Sequence, residues 1–414
     1  MASILNQSIN MRTKRAKPPS ADPRALMDAA AASGALGVSR GTLYAYVSRG
    51  LIRSTPNPAL AKANLYAAAD VQALIARKTR MRRAGAAAAS ALDLGLPVLK
   101  TRITHFEDDN LYYRGRDAIA LSREATLEDA ARLLWDAAEA DPFGELRFDP
   151  REVAGWSEIA QRLSSLRALD RASALLALLA AREPPLAHKP NSATFGNAAS
   201  LVRALVAAIA GIDRPIEGPL HQAIAAAWGV PEAADAIRRA LVLLADHELN
   251  PSTFAVRVVA STGARLSHCV ISGLAAVSGP RHGGGSDRVR AFLAGIETKQ
   301  AAVRAVSERL QRGELLPGFG HTFYRDVDPR AVELLDHIKP DAAMSAVLDA
   351  GRAMSGLEPN VDFALLAVER HYGLPKGAAL ALFAMGRSVG WLAHAFEQRA
   401  GGQLIRPRAE FVAD

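Results

Sequence analysis

The chain has 414 residues, half of them hydrophobic, a net charge of +8 and a single cysteine, Cys269. That length supports two or three domains and a large core, and a lone cysteine excludes an intrachain disulfide and suits a reducing compartment, so a soluble cytoplasmic protein is expected. No uninterrupted apolar run of about 18 residues marks a membrane span, and the absence of metal-spaced cysteines, a Walker loop or a dinucleotide fingerprint argues against a metal or a bound organic cofactor.

The basic excess is confined to the first fifth of the chain. Residues 1–83 hold 14 Lys and Arg against Asp22, Asp28 and Asp70, whereas the remainder holds 36 basic and 39 acidic residues. Such asymmetry points to a polyanion partner for that segment. Residues 1–22, with Arg12, Lys14, Arg15 and Lys17 before Pro18-Pro19, have little to bury and read as a disordered basic tail. From Pro23 a helix is expected through Ala25, Leu26 and Ala29 to Ser33-Gly34. Ser39 then serves as N-cap for a helix over Arg40–Ser48. Leu43 and Val47, four apart, face the first helix, which leaves Arg40, Thr42, Tyr44 and Arg49 outside. Asn64-Leu65-Tyr66 reads as extended, and Ala68 to about Arg80 as another helix with Val71, Leu74 and Ile75 on one face. The stretch "LGVSRGTLYAYVSRGLI…LYAAADVQAL" resembles the winged helix-turn-helix of the MerR-type family over about 55 residues. The resemblance implies a DNA-binding domain over 23–84 with Arg40–Ser48 as recognition helix, Arg40, Thr42, Tyr44 and Arg49 near DNA, and Arg53 or Lys62 on phosphates; such modules also dock proteins.

Beyond an alanine-rich joint at 85–90, Ile103–Arg116 predicts a β-hairpin turning at Glu107-Asp108-Asp109-Asn110. Helical periodicity continues over 126–140, 157–167, 170–182, 197–211, 219–228, 231–247 and 252–278. Ser252 is the expected N-cap of the last of these, and His247 lies between Asp246 and Glu248, where a hydrogen bond would fix its tautomer.

Two Gly-Pro-x-His copies differ in the residues downstream of the histidine. His221 runs into an ordinary helix and reads as structural; His282 precedes Gly283-Gly284-Gly285, where a backbone without side chains lets a ligand approach. Farther on, Leu315–Arg330 delivers His321 from a Pro-Gly-x-Gly loop, expected at a loop-to-helix junction, and Arg330 offers a planar fork suited to a carboxylate. Asp362 starts a helix after Pro359, as a cap or as a desolvated base. Arg387, inside an apolar helix, requires an anionic partner. Arg406 is the last candidate, on the C-terminal tail.

In order, "DHELNPSTFAVRVVAST", "GPRHGG", "LPGFGHTFYRDVDPRA", "NVDFALLAVERHYGLP", "GRSVGWLAHAFEQ" and "IRPRAEF" resemble the citrate synthase family, and "ITHFEDDNLYYRGRD" resembles its N-terminal hairpin. The resemblance runs from about residue 95 to the end. It implies an all-α fold with a large helical domain over 85–281 and 367–414, a small lid domain over 282–366, and a homodimer. His282, His321 and Asp362 match the catalytic set, acting on the thioester carbonyl, the ketone and the acetyl methyl respectively. His247, Arg330, Arg387 and Arg406 match the carboxylate-binding groups, Arg406 reaching in from the other subunit. Leu316, Pro317, Gly318, Phe319 and Gly320 match the loop against coenzyme A adenine, and Arg325 a basic position near its phosphates. The implied activity is citrate synthesis from oxaloacetate with acetyl-CoA as co-substrate, with 2-methylcitrate synthesis from propionyl-CoA, or a DNA-binding regulator with a synthase-like sensor body, as alternatives. Arg281 before His282, and Gly285-Ser286-Asp287 where Ala-Asn usually comes after the glycines, depart from the family pattern.

Overall fold

A computed structural model describes residues 25–38, 40–48, 51–58, 60, 63–75 and 99–412, except 145–146, 148, 150–151, 182, 184–188, 214–215, 325 and 410. The basic tail over 1–22, the alanine-rich joint, Ser39, Arg49, Lys62 and Arg325 lie outside the described residues. The chain divides into two compact units, Met1–Lys100 and Thr101–Asp414.

In the first unit, β1 (Leu26–Met27), α1 (Ala29–Leu36), α2 (Arg40–Ser48), β2 (Ser54–Pro56) and β3 (Asn64–Ala67) precede a helix, α3, over residues 68–75. The expected helix from Pro23 is corrected. Leu26 and Met27 pair with Ala67 and Tyr66 in an antiparallel sheet of order β1-β3-β2. Asp28 caps α1, its carboxylate accepting from Ala31 N at 2.8 Å, so the helix cannot begin earlier. Helix α2 has the expected bounds, and Leu43 and Val71 are fully buried with Ala32, Leu36, Ile52 and Tyr66. Arg40 and Tyr44 are exposed and Thr42 is half-buried. Arg53 is chelated by Asp70, with Nε and Nη2 donating at 2.8 and 2.9 Å, so its fork is already engaged.

The second unit opens with a hairpin, β4 (Thr104–Glu107) and β5 (Asn110–Tyr113), extended by β6 (Arg116–Asp117). Glu107 opposes Asn110, so Asp108 and Asp109 make a two-residue turn, both at positive φ as a mirror-image turn requires. The chain continues through α4 (Ala118–Glu124), α5 (Leu127–Leu134), α6 (Trp156–Arg162), α7 (Ala168–Ala180), α8 (Ser192–Ala210), α9 (Leu220–Ala227) and α10 (Ala234–Leu243). The expected helix over 252–278 is two helices, α11 (Pro251–Ser261) and α12 (Leu266–Val277), because Gly263 turns the chain at φ +85°. The cap of α11 is Asn250, whose Oδ1 accepts from Thr253 N; Pro251 occupies the first turn and Ser252 is left for other work. Then come α13 (Gly285–Leu293), α14 (Lys299–Gln311), α15 (Pro329–Leu335), α16 (Ala342–Ser355), α17 (Val361–His371) and α18 (Ala378–Gly401).

Helix α18 is apolar on every side and is packed by α5, α8, α10, α11, α12 and α17. By length and composition α8 and α18 could cross a membrane, but the most apolar window of α18 is 94% buried inside the protein, as befits a core helix. Its close approach to α10 requires glycine: a Cβ on Gly390 would lie 2.2 Å from Ala245 O and 2.5 Å from Asp246 Oδ1.

Among its described residues the second unit has two hydrophobic cores. The larger draws on the hairpin and on α4–α12 and α18; the smaller gathers Val289, Leu293, Val306, Leu316, Phe319, Met344 and Val347 from α13, α14, α16 and the intervening loop. Helix α17 belongs to both. Val361, Ala364, Leu365 and Val368 face the larger core, while Phe363, Leu366 and Ala367 face the smaller. Helix α15 sides with the larger, through Ala331 and Leu334 and through buried Glu333, which pairs with Arg123 and Arg239 at 3.0 and 2.7 Å.

Candidate active site

The hairpin sets one wall. Tyr113 Oη lies 3.0–3.2 Å from the carbonyl oxygens of Val242, Leu243 and Asp246, beneath the end of α10, where helix carbonyls need partners. Phe106 packs edge-on against His247 at 4.9 Å between ring centroids. The next residue, Glu248, is held at φ +56°, its N–H donating to Asp246 Oδ2 at 3.1 Å. His247 is thereby fixed in a tight turn, with Nε2 3.1 Å from Tyr324 Oη. Burial, together with Arg330 and Arg387, drives the His247 imidazole well below its ordinary value, so it is neutral. Tyr324 is itself buried, its hydroxyl pushed up to about 12.

His321 does not sit at a helix start; residues 321–324 and 326–328 belong to no helix or strand, and Arg330 lies on the first turn of α15. The loop is strapped to the entry of α17 by an isolated bridge between Phe319 and Pro359, by Gly320 N to Glu358 O (2.9 Å), and by Asn360 N to Gly318 O (2.8 Å). Phe323 N donates to His321 Nδ1 at 3.1 Å. The ring proton of the neutral imidazole is therefore on Nε2, as an outward donor. Burial first, and Arg330 second, lower His321 to about 4.

Arg330 is 2% exposed and chelated by Asp328, Nε to Oδ1 at 2.9 Å and Nη2 to Oδ2 at 2.8 Å. Its Nη2 also lies 3.4 Å from His321 Nε2. Arg387 is buried too, but the anionic partner expected of it is missing: Nε donates to Leu244 O at 2.8 Å, and among the described residues no carboxylate pairs with it. Burial lowers Arg387 to about 10, which still leaves it charged at neutral pH. A buried guanidinium without a carboxylate is a standing demand for an anion.

His282 is half-buried in the turn between α12 and α13, its Nε2 2.9 Å from Ser252 Oγ. That hydroxyl donates to Asn250 Oδ1 at 2.7 Å and accepts from Trp391 Nε1 at 3.1 Å. Burial, then Arg387, lower His282 to about 4. Asp362 stands in the first turn of α17, capped by Asn360, with its carboxylate where a Cβ on Gly285 would fall, 2.1 Å away. Burial raises it to about 6 against the opposing pull of Arg330, Arg288 and a hydrogen bond from Ser286. The same two guanidinium groups thus act on all four: Arg387 on His282 and His247, Arg330 on His247, His321 and Asp362.

The remaining expected residues divide. Leu316 and Phe319 turn into the smaller core, Phe319 edge-on to Phe363 at 5.5 Å, so they anchor the glycine loop rather than line its outer surface. Pro317, Gly318 and Gly320 are half-buried, the glycines at φ +80° and +71°. Arg406 is exposed on the tail beyond α18. His221 is buried in α9, its imidazole lowered by burial and by Arg238, away from the cluster. Sequence reasoning passed over Ser252, Ser286, Tyr324 and Asp328 as parts of the site. Only Asp328 left a signal, as the acid of Asp-Pro-Arg at a helix start.

Residues 92–408 match the family model for the citrate synthase C-terminal domain. Citrate synthase 2 of Bacillus subtilis is 30% identical over 350 residues, covering 77% of this chain and 94% of the relative. The 2-methylcitrate synthase of Shewanella oneidensis is 33% identical over 182 residues, 42% of this chain and 48% of the relative. Among solved structures, the citrate synthase of Thermoplasma acidophilum, in ternary complex with carboxymethyl coenzyme A and oxaloacetate, is similar at a TM-score of 0.60 and 26% identity, over 78% of this chain and 95% of that one.

Proposed function

This chain is a member of the citrate synthase family, enzymes that transfer an acyl group from a co-substrate thioester without a metal or organic cofactor, and from that premise we propose that it condenses acetyl-CoA with oxaloacetate and hydrolyses the citryl thioester. The observation that carries the reading is the pairing of two buried guanidinium groups, one with no carboxylate in ion-pair contact among the described residues, with neutral imidazoles and a carboxylate raised to about 6. A dicarboxylate oxo-acid answers the charge, and the imidazoles answer its ketone and the thioester carbonyl.

In this reading Arg330, Arg387 and His247 hold oxaloacetate, and His321 Nε2–H donates to the ketone oxygen. Asp362 removes a proton from the acetyl methyl while His282 donates to the thioester oxygen, so negative charge never builds up on one atom. For that donation the Ser252 hydroxyl would rotate from Asn250 Oδ1 to His282 Nε2, which leaves the ring proton on Nδ1. The enol carbon then attacks the ketone carbon, and water cleaves the citryl thioester to citrate and CoA. We assign residues 282–366 to a small domain that closes over the large one and keeps water out until the carbon–carbon bond has formed. Arg406 would come from the partner of a homodimer, with the 316–320 loop against adenine and Arg325 near the phosphates.

Propionyl-CoA is the rival thioester, since one methylene is discriminated by only about 1–3 kcal/mol of pocket contact. For the first unit we propose a MerR-like helix-turn-helix over 23–84 that binds DNA, supported by the exposed Arg40 and Tyr44 on α2 and by the basic excess. Thiol release from acetyl-CoA and from propionyl-CoA at fixed oxaloacetate tests the enzyme reading. Turnover lost in His282→Ala and Asp362→Asn supports it; ligand binding without turnover in the native chain refutes it in favour of a sensor. Salt-dependent DNA binding by the full chain, weakened by Arg40→Ala, is expected; none at low salt leaves protein docking.

A further inference from the structure

We propose that Asp328 is a positioning residue that locks the guanidinium gripping the oxo-acid to the helix carrying the catalytic base. Its side chain is 1% exposed and accepts four hydrogen bonds. Three come from Arg330, through N (3.1 Å), Nε (2.9 Å) and Nη2 (2.8 Å); the fourth comes from Val361 N at 3.0 Å. Val361 is the residue before Asp362 and belongs to the first turn of α17. One carboxylate therefore restrains both partners of the reaction: the clamp on the electrophile and the backbone that presents the base. With the Nε–Nη2 edge of Arg330 occupied, its Nη1 side is the part left to meet a substrate carboxylate, in a single orientation.

Asp328 also balances charge. The groups acting on Asp362 are Arg330 from α15, Arg288 and Ser286 from α13, and Asp328 itself. Those acting on Asp328 are Arg330 and His321, with Val361 N–H; although burial opposes its charge, Arg330 holds it below the usual carboxylate range. Removing the negative charge leaves Arg330 uncompensated, so Asp362 and His321 both titrate lower.

This inference rests on the synthase reading, and the test separates the two. Asp328→Asn and Asp328→Glu are made in the full chain, with folding checked by thermal melts. Thiol release is then followed against oxaloacetate, against whichever acyl-CoA the native chain uses, and against pH. Asp328→Asn should raise the KM for oxaloacetate at least about tenfold with the KM for acyl-CoA within about twofold, and move the acid limb of kcat down by about half a pH unit or more. Asp328→Glu restores the charge but not the geometry: its acid limb returns while its oxaloacetate KM stays raised. A lower melting temperature with unchanged KM and pH profile, or equal rises in both KM values, overturns the proposal. If the native chain fails to turn over, the synthase reading fails by itself. Calorimetric titration of native and Asp328→Asn chains with oxaloacetate then decides the inference, equal affinity or no binding by either overturning it.

Discussion

Ser286→Ala tests whether Asp362 is the group whose ionisation limits turnover at low pH. Ser286 Oγ lies 3.1 Å from Asp362 O and 3.4 Å from Asp362 Oδ1. Its one proton is shared between them, and the carboxylate bond is long, so we take its worth as about 1 kcal/mol rather than the roughly 1.5–3 of a short bond to a charged group. At about 1.36 kcal/mol per pKa unit, losing it raises Asp362 by about 0.7 from its value of about 6. The base is needed ionised. At pH 6 the ionised fraction should fall from about one half to about one sixth, a roughly threefold loss of kcat, while at pH 8 native and variant differ by under about 10%. The assay is thiol release at saturating substrates from pH 5 to 9. An acid limb that stays in place, or moves to lower pH, refutes the assignment of Asp362 as base.

Asp362→Asn should stabilise the protein while removing its activity. The folded carboxyl is raised above its ordinary 3.8, so it contributes most stability below about pH 4 and loses it as pH rises to about 6. The neutral amide escapes a penalty on the order of 2–3 kcal/mol at pH 7.5, and the variant should melt a few degrees higher there, with the gap closing at pH 4. A variant that melts lower at pH 7.5 contradicts the burial argument; kcat should drop at least about a hundredfold. Gly390→Ala adds a Cβ 2.2 Å from a backbone oxygen that cannot rotate aside. It should cost about 1–3 kcal/mol in denaturant unfolding and disturb the adjoining His247 turn. An unchanged midpoint would mean that α18 and the end of α10 are less tightly held than the contact distances require.

The helical body and the hairpin were legible because their signals are local: a two-residue Asp-Asp turn, caps, and 3.6-residue periodicity. The candidate site was legible as motifs, with His282, His321, Arg330 and Arg387 each beside glycine or proline and His247 between two acids. The parts that stayed hidden depend on residues far apart in the chain. Asn250 outcompeted Ser252 as a cap because Pro251 fixes the first turn, which freed Ser252 for His282 thirty residues on. Leu26 and Met27 looked helical until Ala67 and Tyr66 offered them a sheet edge. A paired carboxylate was the natural expectation for Arg387; that it donates to Leu244 O instead, with no carboxylate in ion-pair contact among the described residues, is a fact that only three dimensions disclose.

Helix α17 is a wall common to both cores, and Asp362 stands at its threshold. Were the smaller core to swing, that helix would be the axle, and a group mounted near an axle sweeps a short arc. Substrate could then enter and product leave through wide excursions of the outlying α14, with the carboxylate of Asp362, the proposed base, scarcely displaced. Such a placement would reconcile the proposed opening with an aim that has to hold to a fraction of an ångström.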